Sequence, residues 1–209
     1  MRFVILLLFL NSCAKKYKLA IYHNSFQPFH HVHYDVIKRA KKSCEHLVIG
    51  ILHAKGEVVS EYSPFYGDDR EKMIKDTLEK DGMKNYSIVQ YNYQNENGYL
   101  RTYYESIYDV ATKEYKRLFG VDYKDGDIAS IYDANSIYDN WRKEEYFPIL
   151  HIKPDQDSYA LSDEITRKIL TNCNINDKLP YGTKMFFKQR CNKFFNTNQP
   201  PPPISSNNS

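Results

Sequence analysis

KLAIYHNSFQPFHHVHYDVIKRAK, residues Lys18 to Lys41, is the stretch on which the fold reading turns. KLAIYH (Lys18–His23) is a short apolar run that stops at a turn, so it is expected to be a strand. The turn carries Asn24, Ser25 and Pro28. From Val36 to Lys42 the apolar positions Val36, Ile37 and Ala40 have helical spacing. A strand therefore leads through a turn into a helix. At the junction His30, His31 and His33 occupy three of four successive positions.

The same alternation continues down the chain. HLVIGIL (His46–Leu52) is a continuous aliphatic run, the pattern of a strand buried on both faces. Asp68 and Asp69 open a helix through Leu78, with acids in its first turn as the macrodipole favours. YSIVQY (Tyr86–Tyr91) is a third strand, Tyr99 to Leu118 a long helix, DIASIY (Asp127–Tyr132) a fourth strand and FPILHI (Phe147–Ile152) a fifth. Strands alternating with helices imply an α/β fold, a parallel sheet with helices on both faces and right-handed crossovers. Ligands on such sheets bind at the carboxyl ends of the strands, where the strand order switches. The histidines follow the first strand and so fall at that edge. No internal repeat is present.

The chain has 209 residues, 42% of them hydrophobic, enough for one domain with a proper core. Its net charge of +3 makes no case for nucleic acid as a partner. Cys13, Cys44, Cys173 and Cys191 show no C-x-x-C spacing, which argues against a zinc site or a disulfide framework and for free thiols in a reducing compartment. MRFVILLLFLNSC conflicts with that. It has the look of a short secretion signal or a lipoprotein signal ending at Cys13, and is too short for an ordinary membrane span. The alternative is an extra segment on a cytoplasmic protein. The expected organisation is an apolar extension over 1–16, one domain over 17–195, and a disordered Pro-, Asn- and Ser-rich tail over 196–209.

Two chemistries suit histidines at a helix start. A metal site needs three or four ligands, and no paired acid or cysteine stands nearby to complete a set. Anion binding needs less. A helix N-terminus supplies free N–H groups and partial positive charge, and imidazoles at i and i+3 share one side of the first turn. They are placed to donate to phosphate oxygens where charge develops.

FQPFHHVH resembles the G-x-F-x-P-x-H-x-G-H signature of the nucleotidyltransferase superfamily. It is most similar to the GRFQPFHxGH form of the archaeal-type and Nudix-fused nicotinamide mononucleotide (NMN) adenylyltransferases. SPFYGDDREKMI (Ser63–Ile74) resembles that family's N-P-F/W-x-x-x-E-R-x-x-M-I. IYDANSI (Ile131–Ile137) resembles a strand-end segment finishing in S-G-N. LSDEITRKIL (Leu161–Leu170) resembles I-S-x-T-x-I-R, and ENGYL (Glu96–Leu100) a segment where the family has asparagine then tryptophan. The matches come in family order over about residues 18 to 172.

The resemblance implies a Rossmann-like nucleotidyltransferase fold. It implies adenylyl transfer from ATP to NMN, giving NAD and pyrophosphate, with Mg²⁺ bound through the ATP phosphates. A homo-oligomer is an expectation of the same kind. No protein nucleophile is required, because catalysis is positioning and charge neutralisation. His30, His33 and Arg167 are the implied catalytic residues. Ser25, Phe26, Asn135 and Ser162 join them as implied ATP contacts, with Arg167 a planar multi-donor clamp. Tyr99 is a stacking platform for nicotinamide or a core aromatic, and Trp141 a substrate wall or core.

Departures from the family pattern bear on activity. Asn24 stands where the first glycine is expected and is read as taking over its left-handed turn. Ser25 replaces an arginine, and Val32 the glycine between the histidines. Tyr62 stands where an arginine is common, and Glu164 places an acid where threonine is usual. His31 is expected on the solvent side, Phe26 and Phe29 in turn packing, and Asp69 and Arg70 as a helix-start structural pair. Three readings stand: an NMN adenylyltransferase in the cytoplasm, a sister enzyme with another phosphorylated acceptor, or a degraded homologue that binds nucleotide.

Overall fold

The computed structural model describes residues 16–52, 65–91, 103–133, 146–155, 161–162, 164–166, 168, 175 and 179–197. Five strands form one sheet: β1 (Tyr17–Asn24), β2 (Cys44–Leu52), β3 (Tyr86–Tyr91), β4 (Ile128–Asp133) and β5 (Ile149–Ile152). All neighbouring pairs are parallel, and the order is β3-β2-β1-β4-β5. Among the described residues the helices are α1 (His31–Lys41), α2 (Gly67–Lys80), α3 (Tyr103–Phe119) and α4 (Tyr181–Thr197), and residues 161–162, 164–166 and 168 are also helical.

Period-two alternation assigns the strand residues to two cores. On one face Ala20, Tyr22, Leu47, Ile49 and Ile131 meet Val36, Ile37 and Ala40 of α1, Met73, Ile74 and Leu78 of α2, and Phe186 and Phe187 of α4. On the other, Leu19, Ile21, Val48 and Ile128 meet Ile107, Ala111 and Tyr115 of α3. Both faces of β1 and β2 are dry, which is why these strands read as unbroken aliphatic runs.

Helices α1 and α2 connect strands stepping outward from β1, whereas α3 crosses the opposite face to bring β4 to the far side of β1. The strand order therefore reverses between β1 and β4. Their carboxyl ends splay chain in opposite directions there, and that is where a doubly wound sheet opens a crevice. The histidine turn leaves β1 at this point.

Two expectations need correction. The sequence pattern places no element beyond 171, yet α4 occupies Tyr181–Thr197 and packs on α2. Its buried residues pair as Gly182/Thr183, Phe186/Phe187 and Cys191, and a stripe that begins with glycine and threonine has a weak apolar signature. Cys191 is disulfide-bonded, not a free thiol, and its partner lies outside the described residues. Cys44 is free and buried. The long helix expected over Tyr99 to Leu118 is present over Tyr103–Phe119, and residues 99–102 lie outside the described residues. Among the described residues, no helix is long and apolar enough to cross a membrane.

Candidate active site

The turn between β1 and α1 is held from several sides. Asn24 does not adopt the left-handed conformation expected of it; Phe26 does, at φ +50°. Asn24 instead offers its Oδ1 to the backbone N–H groups of Ser25 (2.7 Å) and Phe26 (3.5 Å). A short polar side chain thus closes the turn that glycine would have closed by backbone freedom. Phe26 is fully buried, with edge-on contacts to Tyr22, Phe29 and His33 that fix its strained backbone from within the core.

Gln27 ties this turn to the segment before α2. Its Nε2 donates to the Phe65 carbonyl at 2.8 Å, and its Oε1 accepts the Phe65 N–H at 3.1 Å. Arg70 is fully buried and donates to the carbonyls of Ser25 (2.7 Å), Leu52 (2.9 Å) and Tyr66 (3.3 Å). Three backbone segments converge on one guanidinium, so Arg70 acts in the fold. Thr166 donates to the Gln27 carbonyl at 3.3 Å. Thr183 donates to the Phe29 carbonyl at 2.8 Å.

On this frame His30 is the N-cap of α1, and its carbonyl accepts the helix's first N–H, from Tyr34. His33 lies one turn on. Both rings are shut off from solvent, at 0% and 1% exposure. They stack with centroids 3.7 Å apart. The His30 N–H points to His33 Nδ1 at 3.4 Å. Burial, and then the neighbouring His30 and His31, hold His33 well below the usual imidazole pKa. His33 is therefore neutral, with Nδ1 as acceptor and the proton on Nε2.

His30 Nε2 meets Ser162 Oγ at 3.0 Å, across 132 positions of sequence. This contact joins the first histidine motif to the helical residues near 162. Glu164, two positions on, is exposed and paired with Lys168. Its carboxylate is thus partly neutralised at the surface. His31 is half-buried, its ring 6.1 Å from that of His30. Val32 is buried. Ser25 lies beside the turn with its backbone engaged at both N–H and carbonyl.

The strand ends add groups that the sequence reading passed over. Tyr22 donates its hydroxyl to Asp133 Oδ2 at 3.2 Å, bridging β1 to the end of β4 at the order switch. His23, next along β1, is buried edge-on against Tyr132. It faces Gly50 in register, where an added Cβ would lie 2.8 Å from the Tyr91 ring and 3.3 Å from the His23 Cβ. Burial lowers the His23 pKa to about 3. Gln27, Thr166 and Asp133 all sit inside the motif segments, so a donor and acceptor census of those segments was the available signal. Thr183 had none. Tyr99, Asn135, Trp141 and Arg167 lie outside the described residues.

A family model described as cytidylyltransferase-like matches residues 21–208. The chain belongs to this family. A nicotinamide-nucleotide adenylyltransferase of Methanolobus tindarius is 41% identical over 69 residues, covering 33% of this chain and 39% of the relative. One from Thermoplasma acidophilum is 32% identical over 94 residues, covering 45% of this chain and 52% of the relative. A phosphopantetheine adenylyltransferase of Alkaliphilus oremlandii is 33% identical over 64 residues, 30% of this chain and 38% of the relative. The aligned region thus spans about half or less of these relatives. A bifunctional NMN adenylyltransferase/ADP ribose pyrophosphatase from Francisella tularensis superposes with a TM-score of 0.57 at 19% identity, covering 87% of this chain and 50% of that one. That likeness is one of fold. The sheet order, its parallel strands and the helices on both faces make this family member a Rossmann-like nucleotidyltransferase fold.

Proposed function

We propose that the protein transfers the adenylyl group of ATP to nicotinamide mononucleotide, forming NAD and releasing pyrophosphate. The observation that carries this reading is the 3.0 Å contact between His30 Nε2 and Ser162 Oγ beside the stacked His30–His33 pair, at the carboxyl edge next to the strand switch. A phosphate seated there meets the N-terminal turn of α1, the Nε2–H of neutral His33 and the Ser162 hydroxyl together.

The phosphate of NMN attacks the α-phosphorus of ATP, and the bond to the oxygen bridging the α- and β-phosphorus atoms breaks. Charge grows on the transferring group and on departing pyrophosphate. His33, neutral and carrying its proton on Nε2, is a donor that needs no proton uptake before the reaction. It stabilises that charge without reorganising, because its ring is clamped by stacking and by the His30 N–H. Arg167 is proposed as the clamp on the β- and γ-phosphates, Asn135 as a nucleotide contact, and Tyr99 and Trp141 as the wall of the acceptor pocket.

The described groups proposed to meet the phosphate, His30, His33 and Ser162, offer imidazole nitrogens and one hydroxyl, a poor set for a hard cation that prefers oxygen. Mg²⁺ would therefore enter held by the triphosphate, supplying charge neutralisation there. The need for ATP favours the cytoplasm as the site of action.

Purified protein with ATP, NMN and Mg²⁺ should form NAD and pyrophosphate in equal amounts. Absence of NAD with measurable ATP binding would overturn the reading. A second reading, a sister enzyme with a different phosphorylated acceptor, is favoured by the 33% identity to a phosphopantetheine adenylyltransferase. Pyrophosphate release from ATP with phosphopantetheine, but not NMN, as acceptor would select it.

A further inference from the structure

We propose that Thr183 is a positioning residue for the site, acting through the Phe29–His30 peptide to set which nitrogen of His33 carries the proton. The inference rests on the adenylyl-transfer reading for its kinetic consequence, though not for its structural content.

A peptide unit is planar, so its C=O and N–H turn together. In the unit joining Phe29 to His30, the carbonyl accepts the Thr183 hydroxyl at 2.8 Å. The N–H of the same unit points to His33 Nδ1 at 3.4 Å. The plane is thus held at both ends, and its orientation makes Nδ1 of His33 the acceptor. The proton then sits on Nε2, the nitrogen proposed above to meet phosphate. At 3.4 Å the bond to His33 is long, so it depends on the plane being kept in place by its other, shorter partner.

Thr183 is itself held. It sits in the first turn of α4, which lies unusually close to α2. A Cβ on Gly182 would stand 2.2 Å from the Met73 carbonyl oxygen and 2.9 Å from the Thr77 nitrogen, so only glycine permits the approach. The Gly182 N–H donates to Thr77 Oγ1 at 2.9 Å, and that hydroxyl donates onward to the Met73 carbonyl at 2.8 Å. An unpaired N–H at the start of α4 is satisfied by a side chain of α2. The C-terminal helix is therefore anchored to α2 and reaches the histidine turn with one hydroxyl, 154 positions from its acceptor.

Thr183→Val keeps the volume and removes the donor, and Thr183→Ser keeps the donor. Long-range ¹H–¹⁵N spectra of the histidine rings in substrate-free protein should show His33 as the Nε2–H tautomer in the wild type and in Thr183→Ser. A mixture of tautomers is expected in Thr183→Val. Turnover should fall about tenfold in Thr183→Val with little change in KM for ATP, and recover to within twofold in Thr183→Ser. Gly182→Ala, which forces α4 away from α2, should show the same ring signature. Unchanged His33 resonances in a folded Thr183→Val protein would overturn the inference, even if its melting temperature falls. Failure of the wild type to form any dinucleotide would count against the proposed reaction alone, because the ring spectra judge Thr183 without substrate.

Discussion

The imidazoles of His30 and His33 stack at 3.7 Å between centroids and 19° between planes. Two positive rings at that separation, away from water, would repel strongly, so the pair cannot be doubly charged without disrupting the turn. The arrangement suits a site that meets anionic phosphate with hydrogen-bond donors while keeping its own charge low. Removing the His33 ring should therefore cost transition-state stabilisation more than binding. His33→Ala is expected to lower kcat by about 10²–10³-fold with a smaller change in KM for ATP. Steady-state kinetics at saturating acceptor measures this, and unchanged turnover would refute the role.

Stability should fall in acid because of the buried histidines. His23 has a folded pKa of about 3 against an ordinary 6.5, and His33 is lowered in the same direction. Between those values the unfolded chain binds more protons than the folded one, so stability rises with pH. The contribution is complete above pH 6.5 and is lost as pH falls toward 3. Each such group adds a slope approaching about 1.4 kcal/mol per pH unit. Urea unfolding at pH 7.5, 6.0 and 5.0 should show the decline, and His23→Gln should remove one proton's share of it. An identical slope in the variant would contradict the assignment.

Arg70 is expected to matter for folding before it matters for chemistry. Its guanidinium donates to three carbonyls from three segments, and a nonpolar replacement leaves them without that donor. Arg70→Met should cost about 2–4 kcal/mol. Chemical denaturation reads this directly. A destabilisation under 1 kcal/mol would mean that water replaces the guanidinium without loss.

Glu164 should be dispensable despite standing where the family has threonine. Its carboxylate is exposed and paired with Lys168. Such a surface pair contributes about 0–1 kcal/mol. Glu164→Thr should leave turnover within about twofold and stability within that same range. A gain of tenfold or more in turnover would show that the acid does oppose phosphate binding.

Asn24 should resist replacement by alanine more than by glycine. The first removes the side-chain acceptor for the Ser25 N–H and adds no backbone freedom, whereas the second restores that freedom. Asn24→Ala is expected to lose about 1 kcal/mol of stability and Asn24→Gly less. Thermal melts of the two variants rank them, and the reverse order would disprove the turn assignment.

Much of this was legible in the chain. The five strands, α1 and α2 follow from aliphatic runs and helical spacing, because burial on both sheet faces writes itself into consecutive residues. The histidine turn announced its place at the sheet edge for the same reason. Helix α4 was not legible, since its closest contact is made by glycine and threonine, which carry no hydrophobic signal. The place of Asn24 in the turn was plain, but not that it acts through its side-chain oxygen rather than a left-handed backbone. Spacing gives a residue's position along the backbone but not the direction in which its side chain leaves.

The sequence by itself determined the layered α/β architecture and the identity of the groups gathered at the strand ends, because periodic burial and local turn chemistry act over short stretches. Only the tertiary structure decided how those groups address one another. That His30 meets Ser162, that Gln27 binds Phe65, and that Thr183 reaches Phe29 are contacts across 132, 38 and 154 positions. Hydrogen bonds of that kind depend on where helices dock to within a fraction of an ångström, and docking is set by packing of the whole core.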